Sequence, residues 1–390
     1  MTIISTLIDF ADADNSAAPR LRHAFGRPCQ VMVAHELVDV RPLLDAVQSA
    51  ALQGRWCVGY LRYEAAPAFD SALAVHAPEG PLAWFAVYDK VLSWPQGAGL
   101  EAPTPATEWL ETCTRQVFDA AVSHIQNAIA AGELYQVNFT AQLAGTWQDK
   151  PTARSSLAQF AALQRAQPGG YAAFIDTGDA QVLSVSPELF FDWKSSHAGD
   201  SGQILARPMK GTALRGYTPD ADAALAAALR ASPKERAENV MIVDLLRNDL
   251  GRTCRTGSVS VPELFSLESY PNVHHLVSSV IGTLADDKDA LDLIAGSFPG
   301  GSITGAPKIR AMQIIDELEP TRRGLYCGSL MYLDVRGEMD SSIAIRSLLV
   351  KDGQVCCWGG GGIVADSQWE AEYQESLTKV RVLLRTLEGL

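Results

Sequence analysis

The chain has 390 residues, 47% of them apolar and 20% charged, the balance of a globular protein able to bury a large core. Its formal net charge of −13, with no clustered run of Lys and Arg, argues against nucleic acid or an anionic membrane as the main partner. Seven scattered cysteines without a C-x-x-C pair, an opening MTIISTLIDF without a basic n-region, and no apolar run near ~18 residues point to a cytoplasmic protein without disulfides, zinc or a membrane span.

Along the first part, short strand-like runs (QVMVA, RWCVGYLRY, LAWFAVYDKVL) mix with a helical stretch near Arg41 to Leu52. EAPTPATE then reads as a connector, dividing an N-terminal part, 1–105, from a larger part, 110–388. Val117, Ala121, Ile125 and Ile129 recur at helical spacing, Gly132 stops that helix, and Val137 and Phe139 continue as an alternating strand. Further strands are expected at AAFIDTG, VLSVSPELFFDW, YCGSLMYLDV, SSIAIRSLLV and QVCCWGGGGIV, with helices at 233–250, 307–318 and 368–387. The Ala-rich ADAALAAALRAS is only a mild compositional bias. This is an α/β pattern with clustered strands, not regular βαβ alternation.

Two helices carry paired carboxylates. In SPKERAENVMIVDLLRNDLG, Ser232 as N-cap, Pro233 in the first turn and Glu235 form a capping-box start, and Gly251 ends the helix. Glu238 lies one turn on, beside Glu235, where two carboxylates repel unless solvent or a cation relieves them. SQWEAEYQESLTKVRVLL repeats the device, with Ser367 and Glu370 in capping-box spacing and an apolar stripe of Trp369, Tyr373, Leu377, Val380 and Leu384. Glu372 and Glu375 fall off that stripe. Such pairs suit a hard cation, and equally a solvated surface.

Between them, GSFPGGSITGAPKIRAM places glycines before Pro307 and a helix, a setting for an anion at the helix N-terminus or for a tight structural turn. It is not a Walker P-loop, because no Ser or Thr follows Lys308. WGGGGIVADS is a second glycine run, read either as a close approach to a ligand or as a strand-to-helix turn. Lys210 in RPMKGTALRG is a nucleophile if held in a partly apolar pocket and a plain surface lysine if solvated. Glu188 in SPELFF, among Leu189, Phe190 and Phe191, reads as a general acid with a raised pKa or as an outward-pointing strand residue.

Taken together, GELYQVN, SPELFF, PMKGT, ERAENVMIVDLLRNDLGR, HHLVSSVIG, GGSITGAPKIRAMQIIDELE, RRGLYCGSLMYL, IAIRSLLV and GGGIVADSQWEAEYQES resemble the chorismate-utilising family that includes anthranilate, isochorismate, salicylate and aminodeoxychorismate synthases. The resemblance implies an anthranilate-synthase-like α/β (α+β) fold, two facing antiparallel-rich sheets surrounded by helices. It implies Mg2+ on Glu238 and Glu375, with Glu235 and Glu372 supporting, bridging to the ring carboxylate of chorismate. Tyr326, Arg346 and the backbone of Gly360, Gly361 and Gly362 would hold the enolpyruvyl carboxylate. His275 and Ser302 would line the ring, and Glu188 would protonate the departing 4-hydroxyl.

Two positions point to a branch of that family. Water-using members carry a lysine base where this chain has Gln136, so the resemblance implies ammonia as nucleophile. Anthranilate synthases carry a small residue where this chain has Lys210, and commonly a Leu-Leu-Glu-Ser stretch that STLIDF lacks. Lys210 thus implies the aminodeoxychorismate branch, a transferase chemistry in which the amine attacks C2 and ammonia then displaces it at C4. No glutaminase nucleophile motif is visible, so a separate glutamine amidotransferase is the implied ammonia source. Anthranilate synthase chemistry, which eliminates pyruvate, is the nearest alternative, and a non-catalytic chorismate-binding module a remote one.

Overall fold

The apolar runs of the chain pair into two large sheets in which every strand pairing among the described residues is antiparallel. The structure is a computed structural model that describes residues 4–13, 18–95, 106–147, 153–195, 202–269 and 273–388. Of the connector EAPTPATE, residues 101–105 lie outside that set.

A nine-stranded sheet runs in the order Gly305–Ala306, Gln136–Trp147, Gln354–Ile363, Ser347–Lys351, Gln181–Ser186, Tyr171–Asp176, Thr6–Phe10, Leu21–Phe25, with Ala106–Glu111 also on Gln136–Trp147. A ten-stranded sheet runs Met209–Leu214, Val273–Thr283, Gln203–Ala206, Leu189–Lys194, Met339–Ile343, Ser329–Leu333, Trp56–Leu61, Ala83–Tyr88, Gln30–Ala34, with Ser260–Ser269 as a further partner of Val273–Thr283. One apolar cluster lies between the sheets and draws Ile8, Phe10 and Ala173 from the first and Val58, Tyr60 and Leu330 from the second. The outer faces are covered by helices. Ala153–Ala166 and Trp369–Glu388 share a cluster with Phe160, Phe174 and Leu383, and burying each such side chain contributes about 2 kcal/mol.

The helices expected at 233–250, 307–318 and 368–387 are Pro233–Gly251, Lys308–Leu318 and Trp369–Glu388. The helix expected from Arg41 starts earlier, at Leu37, and carries Pro42 within it. Three further helices were not expected. Pro219–Ala231 follows an N-cap at Thr218, whose hydroxyl accepts from Ala221 N–H at 3.3 Å, and Ala290–Ser297 opens on a capping box of Asp289 and Asp292. The third is Ala153–Ala166.

Two apparent strands are each two. VLSVSPELFFDW splits into Gln181–Ser186 in the nine-stranded sheet and Leu189–Lys194 in the ten-stranded one, because Pro187 has no N–H for a ladder. SSIAIRSLLV likewise divides into Met339–Ile343 and Ser347–Lys351, with Arg346 at φ 50 in the corner between the sheets. Among the described residues no helix is long and apolar enough to cross a membrane, and none of the seven cysteines is in a disulfide.

Candidate active site

Two of the chain crossings between the sheets end on site residues, and they clasp each other. Ser186 Oγ donates to Ile343 O at 2.6 Å, Ile343 N donates to Glu188 O at 3.2 Å, and Val185 N donates to Arg346 O at 3.1 Å. Glu188 is thereby fixed beside the glycine-rich segment, where its carboxylate accepts from Ser302 Oγ at 2.6 Å. Burial pushes the Glu188 carboxyl up, against the Ser302 hydrogen bond and the charges of Lys210, Arg346 and Lys379.

Lys210 sits in Met209–Leu214, the strand that pairs with Val273–Thr283. Gly211, at φ +87, follows it, and a Cβ there would stand 3.0 Å from Glu235 Oε2, so the glycine lets the acidic helix close on the strand. Thr212 lies opposite His275, with 2.9 Å between Oγ1 and Nδ1. Burial holds the imidazole of His275 below its ordinary pKa.

The acidic helices converge on the same place. Burial raises the carboxyls of Glu235 and Glu238; Lys210 and Lys234 oppose this, while Glu375 adds to it at Glu235 and Glu372 at Glu238. Glu372 is buried, not off the packing face, and accepts from Ser367 Oγ at 2.7 Å. The same hydroxyl, expected to cap toward Glu370, accepts instead from Val364 N at 3.1 Å. Glu375, its side chain 55% exposed, meets Lys379 Nζ at 2.6 Å. Burial alone would raise the Glu375 carboxyl, but Lys379 outweighs it and holds the group below the usual range.

The second glycine run is neither turn nor loop: Gly360, Gly361 and Gly362 lie within the strand Gln354–Ile363, paired with Thr140, Phe139 and Asn138. Lys379 donates to Gly360 O at 2.9 Å, and a Cβ on Gly361 would stand 3.4 Å from Glu372 Oε2, 3.5 Å from Lys379 Nζ and 3.8 Å from Glu375 Oε1. These glycines leave a bare backbone ledge facing two carboxylates and an ammonium.

The charges of Tyr326, Glu188 and Glu375 act on Arg346, and Tyr326 stacks on Trp358 with ring centroids 5.7 Å apart. Burial pushes the Tyr326 phenol well above its ordinary value. Gln136 is fully buried, and neither atom of its amide has a hydrogen-bond partner among the described residues. It lies against Gly362, whose Cβ would stand 2.8 Å from Gln136 Nε2. A buried amide left unpaired costs about 1–3 kcal/mol, a cost typical of a group kept for a ligand.

All the expected residues thus fall around one locus: Glu188, Ser302, Arg346 and Tyr326 on one side, Lys210 and His275 on a second, the two acidic helices and the glycine ledge on a third. Lys379 was missed, although Glu375 to Lys379 has the i, i+4 spacing of a helical ion pair. Among the described residues no group of three or more His, Cys, Asp or Glu side chains is arranged to hold a metal by itself.

The family profile described as chorismate binding enzyme matches residues 26–385. Aminodeoxychorismate synthase component 1 of Escherichia coli (strain K12) is 45% identical over 285 residues, 73% of this chain and 60% of that protein. The protein of the same name from Klebsiella aerogenes is 44% identical over 328 residues, 82% and 70% of the two chains. Anthranilate synthase component 1 of Cereibacter sphaeroides is 40% identical over 275 residues, 70% and 53%. The match with the E. coli protein thus spans about three fifths of that protein's length. Among solved structures, anthranilate synthase component I from Streptococcus pneumoniae TIGR4 superposes with a TM-score of 0.76 at 25% identity, covering 99% of this chain and 91% of that one. MenF, the menaquinone-specific isochorismate synthase from E. coli, gives 0.74 at 19% identity, covering 99% and 89%, a likeness of fold. With 360 consecutive positions under one family profile, the chain belongs to the chorismate-binding enzymes.

Proposed function

We propose that this chain converts chorismate and ammonia to 4-amino-4-deoxychorismate, on the route to p-aminobenzoate and folate. The observation that carries this reading is the position of Lys210, whose charge acts on Glu188, Glu235, Glu238 and Glu375 together. The same amine thus acts on both the candidate acid and the candidate metal carboxylates. Relatives named aminodeoxychorismate synthase component 1, at 42–46% identity, support the same branch.

Chorismate is a dianion, and this site supplies Lys210, Arg346, Lys379 and a glycine ledge to receive it. In the reaction Lys210 first gives up its ammonium proton, and its neutral Nζ then forms a bond to C2 while the ring double bonds shift and the C4–O bond breaks. Glu188 gives its proton to the departing hydroxyl, which leaves as water, and burial keeps that carboxyl raised for the task. Ammonia then bonds to C4 as the Lys210–C2 bond breaks, so one hard substitution becomes two easier ones. The orphaned amide of Gln136 offers ammonia a donor and an acceptor but no base for water.

The carboxylates fit Mg2+. This ion takes one or two carboxylates with waters and a ligand oxygen, and here hard oxygen donors come from two helices without a closed cage. Glu238 and Glu375 would hold it, with Glu235 and Glu372 behind them. When bound, it neutralises and orients the ring carboxylate. The component 1 naming of the relatives supports a partner component, which we assign as a glutamine amidotransferase.

Product analysis with chorismate, ammonium and Mg2+ tests the reading: 4-amino-4-deoxychorismate is expected, and anthranilate alone would overturn it. With ammonia withheld, intact-mass measurement should show a chorismate-derived adduct that Lys210→Ala abolishes. An adduct that persists in that variant would remove Lys210 from the role.

A further inference from the structure

Among the described residues, the largest fully buried side chain is a charged one. Arg323 is 1% exposed and lies outside the groups that face the substrate locus. A buried guanidinium is stable only when its nitrogens are paired, and here all three donate, in four hydrogen bonds. Nε and Nη2 form a fork on Glu319, at 2.8 Å to Oε2 and 2.7 Å to Oε1; Nη1 donates to Ile303 O at 2.7 Å and Nη2 to Asn138 O at 2.7 Å. The plane rests on the ring of Tyr63 at 4.7 Å. Glu319, 3% exposed, also accepts from Thr140 N and Thr140 Oγ1, both at 2.8 Å.

The carbonyls chosen are informative. Ile303 follows Ser302, the donor to Glu188, and Asn138 is two residues from Gln136. Asn138 N donates to Thr304 O at 2.7 Å, and Gly305–Ala306 pairs with Gln136–Val137, so the two segments already lie edge to edge. Arg323 O in turn accepts from Tyr326 N at 3.0 Å. One side chain and its carboxylate partner therefore grip the Ser302 segment, the Gln136 strand and the turn that presents Tyr326.

We propose that Arg323, held by Glu319, is a positioning residue that sets Ser302 against Glu188 and so tunes the acid of the reaction. The role rests on Glu188 acting as that acid. A lysine cannot reproduce it, because a single ammonium cannot fork onto Glu319 and reach two carbonyls in one plane. The groups facing Glu188 are Ser302, Lys210, Arg346, Lys379 and Cys327; Arg323→Lys keeps a positive charge beside Cys327 and leaves the other four side chains in place.

The test is the pH dependence of kcat/KM for chorismate in Arg323→Lys, Ser302→Ala and the double variant. Losing the Ser302 bond removes a contact that lowers the Glu188 pKa, so the alkaline limb should move to higher pH in Ser302→Ala. Arg323→Lys should move it the same way, with kcat down on the order of tenfold to a hundredfold and KM within about threefold. The double variant should shift no further than Ser302→Ala alone, the non-additivity of residues acting through one contact. A lowered Tm with an unmoved profile, or shifts that add, would overturn the proposal.

Should Arg323→Lys fail to fold, Thr140→Val removes one donor from Glu319 without stranding a charge. Its limb should move in the same direction by less, and an unmoved one counts against the idea equally. Failure of the underlying reading looks different: Glu188→Gln would then keep full activity, where a loss of roughly 10²–10⁴-fold is expected.

Discussion

Asp192 and Asp340 face each other across adjacent strands, and Lys194 Nζ reaches the first at 3.2 Å and the second at 3.0 Å. Burial and the Asp340 charge push Asp192 up to about 8, against the pull of Lys194. In the unfolded chain an aspartate releases its proton near ~3.9. Between those limits the folded protein keeps a proton that the unfolded chain has lost. The sign follows: this contribution is complete below about pH 4 and lost as pH rises to about 8, at up to ~1.4 kcal/mol per pH unit. Thermal melts of the wild type should therefore slope downward between pH 5 and 8, and those of Asp192→Asn should lose that slope. Parallel slopes in the two proteins would contradict the shared proton.

Among the secondary elements, the strand Gln354–Ile363 separates packing from binding within four glycines. A Cβ on Gly359 would stand 2.6 Å from Ser376 O, a backbone atom of the last helix that cannot swing aside. Gly359→Ala should destabilise by about 1–3 kcal/mol and lower the melting temperature. Gly361 faces only side-chain ends at 3.4 Å and beyond, so Gly361→Ala should fold normally and raise KM for chorismate several-fold. Equal melting losses in the two variants would refute that division.

The same strand shows how much could be read beforehand. Glycine has no side chain to carry a period of two, so composition left turn and ledge equally open. The acidic helices were legible because caps and apolar spacing are local. Their convergence was not, since it depends on sheet order. Gln181–Ser186 and Leu189–Lys194 looked like one strand because apolar residues continue across Pro187, and only pairing reveals the change of sheet. Thr6–Phe10 was overlooked because it is buried throughout and shows no alternation. Individual site residues were placed by resemblance. Lys379 and the Arg323–Glu319 fork needed the three-dimensional arrangement.

At the scale of the whole molecule, the reacting groups are gathered from distant parts of the chain. Ser302 and Glu188 are 114 residues apart, and Arg323 and Asn138 are 185 apart. The two sheets are joined where the chain crosses from one to the other, and two of the crossings are latched by a hydrogen bond between Ser186 and Ile343, 157 residues apart. Closing such long loops is entropically costly and repaid only after both ends are ordered, which places these contacts late in folding. The acid and its neighbouring arginine therefore mature together, at the end. On dilution from denaturant, far-UV circular dichroism should recover first and turnover afterwards, as a lag whose length is set by the mating of the two sheets. Activity that returned in step with the earliest ellipticity would mean that the corner forms ahead of the sheets it joins.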